Sequence, residues 1–298
     1  MRVFVTGASG FVGSAVVPEL LAAGHQVLGL ARSDASAAAV AASGAAVHRG
    51  SLEDLDSLRQ GAAAADAVIH TAFIHDFTKF AENCATDRKV IAALGAGLAG
   101  TGRPLLITSG TALLNPGAVS TEDIVPTLKT HPIPRVATEE AAADLMAQGL
   151  NVRIVRLPPS VHGDGDHGFM HILINLAREK GVAAYIGDGD NRWPGVHRLD
   201  AARLYRLALE KGAAGARYHA TEGEGVPFRE IAGIIGRRLG LPVVSLSREE
   251  AGAHFGWFSH FAAIDAPVSS EWTRAQLGWQ PTQIGLLADL DRPAYFGG

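Results

Sequence analysis

Residues 6–13 read Thr-Gly-Ala-Ser-Gly-Phe-Val-Gly, which sets glycines at 7, 10 and 13. This spacing can do chemistry when it follows a strand and opens a helix. The glycines then allow a tight turn and close backbone approach, and the helix start offers unpaired N–H groups and a positive dipole end to a pyrophosphate. Both conditions are met in the sequence. Arg2–Thr6 is a short apolar run, and residues 11–23 have helical periodicity that stops at Gly24. Gly7, Ser9, Gly10, Phe11, Val12 and Gly13 are therefore the candidate pyrophosphate cradle of a dinucleotide site. Pro18 falls inside the helix, where its missing N–H predicts a local bend.

The end of the next strand-like run, residues 26–31, bears on which dinucleotide is held. NAD-specific sites place an acid about 20 residues beyond the glycines, on the ribose 2′-hydroxyl. This chain has Ala31-Arg32-Ser33-Asp34 there. Arg32 can fork onto a 2′-phosphate and Ser33 can donate to it, which predicts NADP(H). The alternative leaves Arg32 solvated and gives the acid's part to Asp34, beyond the strand end.

Histidine is frequent, at 12 residues. Between His162 and His171 the chain carries Asp164, Asp166 and His167, and His167 and His171 share an i, i+4 spacing compatible with metal ligation. The same residues could instead shape a pocket.

These groups need a scaffold, and the sequence supplies one. Apolar runs at 2–6, 26–31, 67–71, 104–109 and 152–157 alternate with helical patterns at 11–23, 51–61, 83–99 and 137–148. That rhythm predicts an α/β fold with a doubly wound parallel sheet covered on both faces. The Ala-rich stretch 35–46 is read as a helix and its exit. Beyond residue 157 the pattern loosens, with helices expected at 201–211 and 228–239 and a strand near 217–221. The expected organisation is a dinucleotide-binding domain over 1–157 and a smaller lobe over 158–298, with the strand near 217–221 returning to the first.

Composition narrows the classes further. Of 298 residues, 47% are hydrophobic and 19% charged, which excludes a disordered tail protein. Net charge is −4, so no basic excess exists to coat a nucleic acid. The single cysteine, Cys84, excludes an internal disulfide. No apolar run reaches membrane-span length and the N-terminal run is too short for a secretory h-region, so the expectation is a cytoplasmic protein with no membrane partner.

Several motifs now fall in one order: TGASGFVG (6–13), ADAVIHTAF (65–73), LLITSGT (105–111), RLPPSVHG (156–163), VHRLDAA (196–202) and LGWQP (277–281). In this the chain resembles the short-chain dehydrogenase/reductase superfamily, in its extended, epimerase/dehydratase-like branch. The resemblance implies a Rossmann domain with a C-terminal substrate lobe. It extends the cofactor set to Ser51, Leu52, Thr71, Ala72, Phe73, Thr108, Leu157 and Pro158. Ser51 stands where the family usually has an Asp against the adenine. Residues 162–171 would lie over the nicotinamide end and need no metal, with His167, Phe169 and Trp193 as pocket walls and His75 facing the same cleft. His197 and Asp200 would brace the lobes. The Ala-rich helices 83–99 and 137–148 lie where the family often forms a homodimer.

The resemblance breaks at the chemistry. The family uses a Ser/Thr, with Tyr and Lys in a Y-x-x-x-K spacing. None of the four tyrosines here (185, 205, 218 and 295) has a Lys four residues later. Counting back from Arg156 through Glu139 sets Arg135 at the Lys position and His131 at the Tyr position. Arg135 could hold ribose hydroxyls and His131 could act as a general acid. Gly110 falls at the usual hydroxyl position, leaving Ser109 or Thr111 to substitute. The expected function is an atypical NADP(H)-dependent oxidoreductase that reduces a small or medium carbonyl compound. The alternatives are an NADP(H)-binding redox sensor without turnover and, more weakly, a nucleotide-sugar epimerase or dehydratase.

Overall fold

Short Val-, Ile- and Leu-rich runs become strands of one sheet in the computed structural model, which describes residues 1–114, 116–128 and 133–297. In chain order the first part comprises β1 (Arg2–Thr6), α1 (Gly13–Ala22), β2 (Gln26–Ala31), α2 (Asp34–Ala42), β3 (Ala46–Arg49), α3 (Leu55–Ala63), β4 (Ala67–His70), α4 (Phe80–Leu98), β5 (Leu105–Gly110), α5 (Ala137–Ala147) and β6 (Val152–Leu157). The second part comprises β7 (Ser160–His162), α6 (Phe169–Lys180), β8 (Ala183–Ile186), β9 (Arg192–Trp193), β10 (Gly195–His197), α7 (Arg198–Lys211), β11 (Arg217–His219), β12 (Val226–Pro227), α8 (Phe228–Leu239), β13 (Val243–Leu246), α9 (Arg248–Phe255), α10 (Ser259–Ala262), α11 (Glu271–Leu277) and α12 (Leu286–Leu290).

Seven strands form the central sheet in the order β11-β6-β5-β4-β1-β2-β3, every pair parallel. The chain moves outward from β1 in one direction and then, from β4, in the other. The strand order thus reverses between β1 and β4, and in such sheets the crevice beyond the strand C-termini is the binding position. Val3, Val5 and Ile69 face α1 and α7 on one side of the sheet. Phe4, Val68, Leu105 and Ile107 face α3, α4 and α5 on the other. A third apolar cluster, built on α6, α8, α9 and α12, fills the second part. β11 leaves that part and rejoins the sheet beside β6.

Three local expectations shift. The Ala-rich stretch gives helix only to Ala42, and Ala46–Arg49 is a half-buried strand pairing β2. α3 begins at Leu55 rather than 51 because the Asp54 carboxylate accepts the Ser57 amide (3.0 Å) and sets the helix start there. α4 begins at Phe80, one turn ahead of the expected start. α1 runs through Pro18 as helix from Gly13 to Ala22.

Candidate functional site

The β1–α1 turn is built by its glycines. Gly7 has φ +72°, and a side chain on it would meet Thr71 and the Ala72 backbone under 3 Å. A Cβ on Gly13 would come within 2.0 Å of the Gly7 carbonyl, so the helix can start here only without one. The Gly10 amide donates to Gly7 (2.9 Å) and the Ser14 amide to Gly10 (2.8 Å), while the amides of Phe11, Val12 and Gly13 bond to no described backbone group. Gly10 is exposed, and a Cβ on it would meet nothing nearer than 3.2 Å. An open cradle at the helix start, with amide donors to spare, fits a dinucleotide pyrophosphate.

The other sequence-derived cofactor residues gather along the same C-terminal edge. Thr71 donates to the Thr6 carbonyl (2.8 Å), tying the chain after β4 to β1 and bringing Ala72 and Phe73 beside the turn. Thr108 on β5 donates to the His70 carbonyl (2.7 Å), and Leu157 and Pro158 end β6. Ser51 and half-buried Leu52 follow β3, where the Ser51 hydroxyl accepts the Glu53 amide (3.2 Å).

Arg32 is exposed at the end of β2. Ser33 caps α2 in a reciprocal box with Ser36. Asp34 is already held by Arg49 (2.6 Å), whose guanidinium also donates to the Ser33 carbonyl (2.9 Å). The corner beyond β2 therefore holds two cations, and its acid is paired.

Arg135 sits in the short turn Pro134–Val136 before α5, with its guanidinium 4.0 Å from the centre of the Phe73 ring. It donates to Asp87 and Thr138 (both 2.5 Å) and to the Thr108 carbonyl (3.2 Å). Asp87 also accepts from Thr138 (2.6 Å) and bonds His70 (2.9 Å), whose other ring nitrogen bonds the Thr6 hydroxyl (2.7 Å). Burial alone would raise the Asp87 pKa. The Arg135 charge and the His70 and Thr138 bonds outweigh it and hold the carboxyl below the usual range. Sequence reasoning missed Asp87, although a signal was present: it follows Asn83 by four and precedes Ile91 by four, which places it on the buried face of α4.

Ser109 and Thr111 are buried at the end of β5, and neither hydroxyl makes a normal hydrogen bond among the described residues. Ser109 lies beside Glu139 and helps keep that carboxyl ionised. Thr111 keeps hydrogen-bonding capacity to spare, whereas Ser109 faces Glu139. His131 lies outside the described residues.

No tyrosine among the described residues is placed for the family's proton transfer. Tyr205 is buried against Thr108 (2.6 Å), and burial pushes its hydroxyl pKa well up. Tyr218 accepts the Ala213 amide (2.9 Å), Tyr295 bonds Gly163 and Asp166 (3.1 Å each), and Tyr185 lies on β8 in the second part.

Across the crevice, the His75 ring lies 5.4 Å from Phe73 and 6.3 Å from Phe77. It is open to the cleft, yet partial loss of solvent, followed by the Arg135 charge, lowers its pKa. His167 meets Phe11 edge-on at 5.7 Å, and Phe169 opens α6. Trp193 is fully buried behind Phe169 (5.9 Å). The polar groups between His162 and His171 are committed within the protein: Asp164 to Arg292 (2.9 Å), Asp166 to the Gly168 amide (2.7 Å) and His167 to the Gly165 carbonyl (3.1 Å). His197 caps α7, and Asp200 accepts the Thr282 and Gln283 amides, pinning the C-terminal tail.

A reversed-order parallel sheet, a glycine cradle and a cation at the far end of the crevice together define a dinucleotide-binding α/β protein. The chain belongs to the NAD dependent epimerase/dehydratase family, whose sequence model matches residues 3–221. It is 52% identical over 297 residues to the uncharacterized protein C2A9.02 of Schizosaccharomyces pombe, covering 99% of this chain and 100% of that one. It is 32% identical over 262 residues to a 2-alkyl-3-oxoalkanoate reductase of Stenotrophomonas maltophilia, covering 82% and 77%. Its fold matches that of a dTDP-glucose 4,6-dehydratase from Streptomyces venezuelae solved with NAD and TYD. That match has a TM-score of 0.77 and 23% identity, over 99% of this chain and 97% of the other.

Proposed function

We propose that the protein is an NADPH-dependent oxidoreductase that reduces a carbonyl compound. The observation that carries this reading is Arg135, a cation fixed by Asp87, Thr138 and the Thr108 carbonyl at the reacting end of the crevice. The bound dinucleotide would supply a hydride. Phe11, Val12 and Gly13 would receive its pyrophosphate on their amides. Arg32, Arg49 and Ser33 would receive a 2′-phosphate, since the site's acid is paired. Arg135 would hold the ribose hydroxyls and favour negative charge growing on the carbonyl oxygen. Ser109 and Thr111 would orient that oxygen, a proton drawn from solvent would complete the alcohol, and His75 and His167 would line the substrate's side. A relative named as a reductase of an oxo acid supports a carbonyl substrate.

A second reading, NADP(H) binding without turnover, is favoured by the absence of a tyrosine from the crevice among the described residues. NADPH consumption with a panel of aldehydes and ketones, run beside a binding titration, separates the two. Oxidation supports the reductase, and tight binding without oxidation of any member supports the sensor.

A further inference from the structure

We infer that the cleft takes a carbonyl compound bearing an apolar ring or branched chain, laid against an aromatic wall built on the stacked Phe77–Trp257 pair. The inference rests on the oxidoreductase reading and adds the substrate's class. Phe77, on the segment after β4, stacks on Trp257 at 5.0 Å and 20°. It also meets Phe80 (5.7 Å), Phe169 (6.1 Å) and Phe261 (5.8 Å). These rings come from both parts of the chain: from the segment after β4 and the start of α4, from the start of α6, and from α10 and the turn before it. The wall is continuous with the reacting end, because Phe80 lies 6.3 Å from Phe73, the ring beneath Arg135.

The wall is closed on its deep side and open on the other. Phe258 behind it is fully buried, whereas Trp257 is 55% exposed and Phe77, Phe169 and Phe261 remain half-buried. Contiguous apolar surface left open beside a reacting group marks a ligand groove.

Charge argues for the same class. A sugar nucleotide's diphosphate needs cations with donors to spare. Among arginines of the second part of the chain, Arg192 pairs with Asp265 (3.3 Å), Arg198 donates to the Asp164 carbonyl (3.0 Å) and lies over the Phe11 ring, and Arg229 pairs with Asp190. A flat or branched apolar group would instead cover exposed ring surface and release water from it.

The test compares 2-naphthaldehyde with glyceraldehyde, one aldehyde on a ring system and one on a hydroxylated chain, both assayed by NADPH consumption. The expected kcat/KM favours naphthaldehyde at least about tenfold. Trp257→Ala is expected to cut that preference about tenfold, and Phe77→Leu, which keeps apolar volume but loses the stack, to cut it less. A preference for glyceraldehyde, or a ratio unchanged in Trp257→Ala, overturns the inference. If neither aldehyde is consumed, turnover is decided by the wider panel above, and calorimetric titration of 2-naphthalenemethanol into NADPH-saturated protein decides the cleft's class by itself. Binding that Trp257→Ala weakens about tenfold sustains it, and absent or unchanged binding overturns it.

Discussion

Two arginines flank α5, and their surroundings make them different tools. Arg156 on β6 is fully buried and spends its donors inside the protein: two bonds to Glu139 (2.8 and 3.1 Å), one to the Ile124 carbonyl (2.7 Å) and a contact with His219 (3.1 Å). That contact works both ways, since burial and the Arg156 charge lower the His219 pKa to about 3 and keep the ring neutral. Arg135 is anchored as firmly, by Asp87 and Thr138, but keeps 16% of its side chain exposed and lays one face on Phe73 at the cleft. The first pair holds α5 against the sheet, and the second leaves a partly exposed charge at the cleft, which the proposed function gives to a ligand. The lesson is that a buried carboxylate beside an arginine says little about role, and the guanidinium's remaining exposure says more.

The largest expected effect breaks the structural pair. Arg156→Met leaves buried Glu139 with the longer Arg217 pair (3.3 Å) and should cost about 3 kcal/mol of stability, read as a lowered denaturation midpoint. A loss under about 1 kcal/mol would mean that Glu139 finds another partner or protonates freely. Next, Arg135→Met should lower kcat/KM for NADPH-driven reduction about a hundredfold while costing less stability than Arg156→Met. Asp87→Asn should follow in the same direction and more weakly, because it leaves Arg135 in place without its anchor. Asp87 is ionised below the usual carboxylate range in the folded protein. Its stabilisation is therefore present above its unfolded pKa of about 4 and is lost as pH falls toward the depressed folded value, a loss that Asp87→Asn should remove from acid unfolding curves.

A smaller effect concerns the cofactor corner. Arg32→Asp should shift the NADPH-to-NADH affinity ratio about tenfold toward NADH. An unchanged ratio would assign the corner to Arg49 or remove the 2′-phosphate from the account. The smallest effect lies in a separate charge cluster. Burial opposes charge on His162, but bonds to Glu222 (3.4 Å) and Asp289 (2.9 Å) prevail and raise its pKa. Its stabilisation is full below the unfolded pKa of about 6.5 and is lost as pH rises through the higher folded value. His162→Gln should flatten that alkaline decline in thermal melts.

The strand, glycine turn and helix of the proposed phosphate end were legible in the sequence because they are local. The three glycines, the strand before them and the helix after them occupy one continuous segment, and only Gly tolerates φ +72° at 7 and the contact at 13. The alternation of runs likewise gave the parallel sheet. β3 was missed because Ala46–Arg49 is short, half-buried and follows an Ala-rich helix, so no alternation marks it. The substrate end was less legible because it is assembled across the chain. Phe77 and Trp257 are far apart in sequence, and each by itself reads as an ordinary core aromatic. Counting placed Arg135, but the carboxylate that fixes it comes from another helix and appears only once α4 and α5 pack.

The most direct test of the central claim is NADPH consumption by the wild type and Arg135→Met across one panel of aldehydes and ketones. The account predicts carbonyl-dependent oxidation by the wild type that falls about a hundredfold in the variant, with NADPH still bound on the turn amides. Equal rates in the two proteins would contradict it, as would a wild type that neither binds nor oxidises NADPH.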